Sequence, residues 1–191
     1  GYDHGRYFLA MELVVGKSAK ALLVERGPLP APEVAAIGRD TALALAALAG
    51  KGVVHRDLKP SNIIVADKEG RATLVDFGLA RSREDQDLTA TGEAIGTPHY
   101  IAPEVLRGSP SDIRSDLYAL GATLFELLSG RKPYPGTTAF DIYYSLFSGP
   151  RADLRAARPD CPTPLVRIVE SLLELDPAER PDSPDQVAED L

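Results

Sequence analysis

The stretch "VVHRDLKPSNIIV", Val53 to Val65, sets an acid, two cations and an amide between two short apolar runs. Arg56, Asp57, Lys59 and Asn62 are the polar groups, and the runs on either side give them their setting. Upstream, "LPAPEVAAIGRDTALALAALAGKG" carries a strong helix signal. Pro32 suits the first turn, Glu33 complements the helix dipole and Gly50 can end it. Val34, Ile37, Leu45 and Leu48 recur at helical spacing. Gly38 within this helix costs about 1 kcal/mol relative to alanine, which points to close packing there. Downstream, "NIIV" and "ATLVDF" read as two brief strands around the turn "ADKEGR". Paired as a hairpin, they return Asp76 to the side of Asn62.

Further out, "RYFLAMELV" (Arg6 to Val14) is short and dense in apolar residues and reads as a buried strand, broken by Gly16. "SAKALLVERG" predicts a short helix from about Ser18, stopped by Gly27. A long polar, Thr-rich segment runs from Ser82 to about Thr97, and loops of that length are usually functional or disordered. "SDLYALGATLFELLSG", from Ser115, is apolar almost all round and predicts a buried central helix. "TTAFDIYYSLFSG" and "TPLVRIVESLLELD" predict further amphipathic helices, and "SPDQVAEDL" begins another. The tyrosines of "FDIYYSLF" read as helix packing, and His4 as a loop polar residue. No internal repeat or linker divides the chain, so the expectation is one α+β unit, mainly α-helical.

The bulk numbers narrow the function classes. Of 191 residues, 44% are hydrophobic and 26% charged, which fits a globular chain. A formal net charge of −7 and a pI of 5.0, with no Lys/Arg block, argue against a phosphate-gripping nucleic-acid binder. The one cysteine, Cys161, excludes an intramolecular disulfide and reads as a loop thiol beside Pro162. No apolar run approaches the ~18 residues of a membrane span, and the first residues have no signal-peptide pattern. The expected location is the cytoplasm, with no membrane contact by this segment.

The polar set suits phosphoryl transfer. That chemistry asks the protein for a carboxylate to take the nucleophile's proton, a cation near the moving phosphate and oxygen ligands for Mg²⁺. Asp57 offers the base, Lys59 the cation, and Asn62 and Asp76 the metal oxygens, since Mg²⁺ prefers oxygen donors and often takes only one or two from protein.

"HRDLKPSN", followed by "DFG" and then "APE" at Ala102 to Glu104, resembles the protein kinase signature in order and spacing. The resemblance runs from end to end of the chain and implies the larger, C-terminal lobe of a kinase (residues 17–191) together with the last strand of the smaller lobe and the hinge (residues 1–16). It implies Met11 as the gatekeeper residue, adenine contacts from the backbones of Glu12 and Val14, and Ile64 under the adenine ring. ATP and Mg²⁺, with Mn²⁺ as an alternative, are the implied cofactors. Asp116 resembles the buried aspartate that anchors the catalytic-loop backbone, and Glu104 and Arg180 the buried ion pair of the family. His55, Arg56 and Phe77 fall at structural positions of the same motifs. Lys59-Pro60-Ser61 is the serine/threonine pattern, so the implied partners are proteins with Ser/Thr acceptors. Thr97 occupies the position whose hydroxyl typically bridges Asp57 and Lys59. Thr89 and Thr91 resemble activation-loop phosphosites of bacterial receptor-like kinases. A phosphothreonine adds about −1.5 to −2 charges, which Arg56, with Arg81 as a second partner, can hold.

Two parts of the kinase pattern do not appear. No G-x-G-x-x-G occurs in the chain, the nearest being "GKGVVH" at Gly50, and the first lysine, Lys17, comes after the hinge. The expectation is a fragment of a longer serine/threonine kinase, with an N-lobe supplied in cis, that transfers no phosphate by itself. A kinase-like lobe that only binds partners and a small-molecule phosphotransferase remain the alternatives.

Overall fold

The computed structural model describes residues 1–4, 6–7, 11–66, 70–76 and 98–191. It is mainly helical, with a small antiparallel sheet against one end of the helical body. The expected calls on Phe77, Arg81, Thr89, Thr91 and Thr97, and part of the "ADKEGR" turn, lie outside the described residues.

Helix α1 spans Ala19–Arg26. Ser18 caps it by accepting the Ala21 N–H at 3.1 Å, and Gly27, at a φ of +71°, ends it by returning its N–H to the Leu23 carbonyl. Helix α2, Ala31–Ala49, follows Pro30. Arg26 in the last turn of α1 grips Glu33 in the first turn of α2 with two bonds of 2.8 and 2.7 Å, which link the two helices at the surface. Val34, Ile37 and Leu45 enter the core, and Gly38 lies where α2 meets its neighbours. A Cβ at Gly38 would stand 2.9 Å from Leu191 Cδ1 and 3.1 Å from Leu124 Cδ2, so the glycine's propensity cost secures close packing.

The central helix of the body is α4, Ile113–Ser129, buried continuously from Ser115 to Ser129. It starts two residues before the expected Ser115, because Asp112 and Ser115 form a reciprocal capping box. Helices α2 and α7 (Thr163–Leu172) pack against α4, and α8 (Pro184–Asp190) packs against α2. Two one-turn helices, α3 (Pro103–Leu106) and α6 (Leu154–Ala157), were too short to announce themselves by periodicity. Cys161, in the approach to α7, is packed into the core, and burial pushes its thiol up from the ordinary range.

Strands β4 (Ile63–Ala66) and β5 (Ala72–Leu74) form the expected hairpin. A third strand, β3 (Gly16–Ser18), joins them, with Gly16 opposite Ala66 and Ser18 opposite Ile64. Gly16 therefore opens a strand where a strand break was expected. A Cβ at Gly16 would lie 2.2 Å from the Val65 carbonyl oxygen, so the backbones approach closely enough that only glycine fits.

Two further expectations are corrected. The single buried strand expected over Arg6 to Val14 is not found among its described residues, with residues 8–10 lying outside them. Instead β1 (Tyr2–Asp3) pairs with β2 (Arg6–Tyr7), and residues 11–15 form no helix or strand, with Met11, Leu13 and Val15 59%, 83% and 69% exposed. An apolar run is buried only where a neighbour covers it, and no strand among the described residues pairs with residues 11–15. Helix α5 (Ala139–Ser148) buries Ile142 and Leu146, but Phe140, Tyr144 and Phe147 face outward and do not pack as the sequence suggested. Arg107 lies over the Phe147 ring at 4.4 Å.

Candidate active site

The loop Val53–Lys59 leaves α2 and enters a 3₁₀ turn, Pro60–Asn62, that feeds β4. Its backbone is held from below by Asp116 in the first turn of α4. Asp116 Oδ2 accepts the His55 N–H at 2.7 Å and Oδ1 the Arg56 N–H at 2.9 Å. Burial pushes the Asp116 carboxyl up, and the two amide bonds act against it. Arg56 takes a φ of +67°, a left-handed conformation that a non-glycine residue holds only where its surroundings dictate it. His55 is fully buried. Its Nδ1 accepts the Asp57 N–H at 3.3 Å, which assigns the proton to Nε2, 3.2 Å from the Val75 carbonyl.

Above this base, three side chains of the expected set converge. Lys59 Nζ donates to Asp57 Oδ2 at 2.7 Å. Asn62 Nδ2 donates to the same oxygen at 3.0 Å and to the Asp57 carbonyl at 2.8 Å. Both partners engage Oδ2, so among the described residues Oδ1 keeps its lone pairs for another donor. Asp57 and Lys59 are about a third exposed, open enough for a substrate to reach.

Asp76 comes to the same place through the sheet. The Val75 N–H donates to the Asn62 carbonyl at 2.9 Å, and Asp76 follows immediately, exposed, at a φ of +57°. Asn62 has committed its amide nitrogen to Asp57, which leaves Oδ1 as its ligand atom, with Ser61 Oγ 3.3 Å away. A neutral amide oxygen and an exposed carboxylate are hard donors, the pair that suits Mg²⁺ with its remaining positions filled by water and phosphate. Among the described residues no group of three or more His, Cys, Asp or Glu side chains is arranged to hold a metal, so a cage of the zinc type is not the alternative there.

Glu104, in α3, and Arg180 form a separate bidentate pair at 2.7 and 2.8 Å. Arg180 also donates to the Glu174 and Arg114 carbonyls and lies over the Tyr118 ring. Its side chain is 0% exposed, so it clamps α3, the start of α4 and the segment before α8 from inside. Ile64 is half-buried on the strand face opposite Ile63. Met11 and Glu12 are exposed and Val14 half-buried, on the segment leading into β3.

One cluster escaped the sequence reading. Glu126 sits in the middle of α4 with only 3% of its side chain exposed. Its Oε1 accepts from Lys20 at 2.9 Å, and its Oε2 from Lys132 at 2.7 Å and from the Tyr100 hydroxyl. Lys132 also bonds the Tyr100 hydroxyl and lies 4.1 Å from the ring centroid. Burial pushes the Glu126 carboxyl up, but the bonds from Lys132, Tyr100 and Lys20 outweigh it and hold the group below its ordinary value. Burial and the neighbouring Glu126 push the Tyr100 phenol far up. The signal available in the sequence was a lone acid inside "TLFELLSG", since an unpaired charge on a buried face is too costly to persist.

The sequence profile of the protein kinase domain matches residues 2–190. The chain belongs to the protein kinase family. Among curated kinases, serine/threonine-protein kinase PknL of Mycobacterium tuberculosis is 43% identical over 147 residues, covering 75% of this chain and 37% of that protein. PknD of the same species is 39% identical over 181 residues, covering 94% of this chain and 27% of the relative. This kinase chain thus spans about a third of the length of the curated relatives it matches. Among solved structures, the PknI kinase domain of M. tuberculosis superimposes with a TM-score of 0.68 at 29% identity, over 94% of this chain and 63% of that one. A structure of Rad53 1-466 in complex with AMP-PNP gives 0.77 at 26% identity, over 93% of this chain and 44% of that one. The kinase fold accounts for the mainly helical body with its small sheet.

Proposed function

We propose that this chain is the catalytic floor of a serine/threonine protein kinase that moves the γ-phosphate of ATP to Ser/Thr hydroxyls of protein substrates in the cytoplasm. In this reading residues 17–191 form the larger lobe, and residues 1–16 lead into it through the hinge. The observation that carries it is the sharing of Asp57 Oδ2 by Lys59 and Asn62 on a loop pinned by Asp116. Asp57 Oδ1 takes the proton of the acceptor hydroxyl as the oxygen attacks phosphorus. Lys59, held against Asp57, balances charge on the transferring phosphoryl group. Asn62 and Asp76 hold Mg²⁺, which when bound neutralises the phosphates and orients them. Met11, the Glu12 and Val14 backbones and Ile64 line the adenine. In the same reading Thr97 supplies the hydroxyl partner of Asp57 and Lys59, and Thr89 and Thr91 are the regulatory phosphosites, with Arg56 as the cation that answers their charge. Turnover draws its Gly-rich loop and N-lobe lysine from the whole kinase, since neither pattern occurs in these 191 residues.

The test is Asp57→Asn in the full-length kinase, assayed with ATP, Mg²⁺ and a Ser/Thr peptide. A positioned general base is worth roughly 10²–10⁴-fold, so kcat falls by that factor while ATP affinity holds. Undiminished turnover in the variant refutes the assignment.

A further inference from the structure

Beside the Asp57–Lys59 pair lies a cavity of about 420 Å³, bounded by α1, the loop Arg56–Ser61, the turn Pro98–Tyr100 and the start of α4. Lys20, Lys59 and Lys132 all line it. Lys20 and Lys132 share one carboxylate, Glu126, which is buried beneath them and already accepts three bonds. Two ammoniums on one carboxylate leave a net positive charge at the cavity wall. An ammonium has three N–H donors. Among the described residues Lys20 spends one on Glu126, and Lys132 spends two, on Glu126 and Tyr100. Donors are therefore left over on both.

A second, independent observation lies on the same wall. His99 is more than nine-tenths buried and lines the cavity, and its Nδ1 has no hydrogen-bond partner among the described residues. A buried polar atom without a partner is rare in a folded protein, and here it belongs to a residue of the cavity wall. Among the described residues the acids at or behind this wall are already engaged: Glu126 by Lys20, Lys132 and Tyr100, Asp116 by the His55 and Arg56 amides, and Asp57 by Lys59 and Asn62.

We propose that this cavity selects an oxyanion-bearing side chain next to the accepting Ser/Thr of the peptide substrate, with Lys20 and Lys132 as the specificity-determining residues. The inference rests on the kinase reading above, because Asp57 and Lys59 border the same space and place the acceptor hydroxyl at its mouth. The oxyanion is the carboxylate of Asp or Glu, or the phosphate of an already phosphorylated residue. Glu126 acts through the lysines as a positioning residue: it holds both ammoniums at the wall.

The experiment is a set of Ser/Thr peptides of one sequence, with Glu, phosphoserine, Ala or Lys at each position flanking the acceptor, given to the full-length kinase, to Lys20→Gln and to Lys20→Gln/Lys132→Gln. The readout is the ratio of kcat/KM for anionic over alanine peptides. Half-exposed ion pairs are individually weak, so an advantage on the order of tenfold is expected for the two ammoniums together. The ratio falls in the single variant and approaches one in the double. Lys20→Glu, with folding checked by circular dichroism because it sets a second carboxylate beside Glu126, turns the preference towards the lysine peptide. The Glu and phosphoserine arms tell carboxylate from phosphate, and a preference for either supports the proposal. Equal use of Glu, Ala and Lys peptides by the unaltered kinase overturns it. So does an anion preference that survives in the double variant. No labelling of any Ser/Thr peptide, with intact folding by circular dichroism, overturns the kinase reading itself.

Discussion

Removing Glu104 exposes how much of the fold depends on one buried charge. Arg180 has five N–H donors. It places two on Glu104, one on the Glu174 carbonyl and another on the Arg114 carbonyl. Glu104→Ala leaves the two carbonyl contacts and takes away both charge-assisted bonds, each worth about 1.5–3 kcal/mol. The Arg180 side chain is 0% exposed, whereas Glu104 is 15% exposed, so water can re-enter only from the Glu104 side and recover part of the loss. The net cost is about 3–5 kcal/mol, the range for breaking a buried pair from one end. For a chain of this size each kcal/mol moves Tm by about 2–4 °C, so a fall on the order of 10 °C is expected. Urea denaturation followed by circular dichroism measures it as a lower midpoint at unchanged slope. Glu104→Gln keeps one acceptor and loses roughly half as much. The double variant Glu104→Ala/Arg180→Met removes the orphaned charge and recovers about 1–3 kcal/mol over the single. A single-variant loss below about 1 kcal/mol, or a double variant losing the full sum of the singles, would refute the reasoning.

Other parts of the structure make equally direct predictions. A Cβ at Gly121 would stand 2.7 Å from Leu172 Cβ and 3.1 Å from Leu173 Cγ, so Gly121→Ala pushes α7 off α4 and costs about 1–3 kcal/mol in the same urea titration. The Glu126 carboxyl is buried, which raises it, but Lys132, Tyr100 and Lys20 hold it below its unfolded value of 4.5. Its contribution is therefore complete above that value and is lost as pH falls through the lower folded one. Thermal melts from neutral pH down to pH 3 show this as a loss of Tm below the unfolded value. Glu126→Gln flattens that part of the profile, and an unchanged profile in the variant counts against the network.

Much of this was legible along the chain because its causes are local. The limits of α1 were readable from Ser18 and Gly27, whose capping acts within one turn. Helix α2 followed from the spacing of Val34, Ile37 and Leu45, all in the core. The β4–β5 hairpin followed from two apolar runs around a turn, and with it the return of Asp76 to Asn62. Errors arose where a distant segment decides. Gly16 looks like a breaker until Val65 is seen across from it. Residues 11–14, the end of the run from Arg6 to Val14, look like part of a buried strand until the sheet is seen to take β3 instead. Phe140, Tyr144 and Phe147 look like packing residues until α5 is seen to bury Ile142 and Leu146 against the body instead.

The same division runs through the candidate site. The order and spacing of His55, Asp57, Lys59, Asn62, Asp76 and Glu104 carried the family without any coordinates, because this chemistry demands particular groups at particular places on one loop and one hairpin. That both Lys59 and Asn62 settle on one oxygen of Asp57, and that Asp116 holds Arg56 in a left-handed turn beneath them, took the folded chain to decide. So did the gathering of Lys20, Tyr100, Lys132 and the buried Glu126. Periodicity and spacing report what a residue meets within a turn or a hairpin. Lys20 and Glu126 stand 106 positions apart, and only packing α1 and α4 into one body brings those charges into contact.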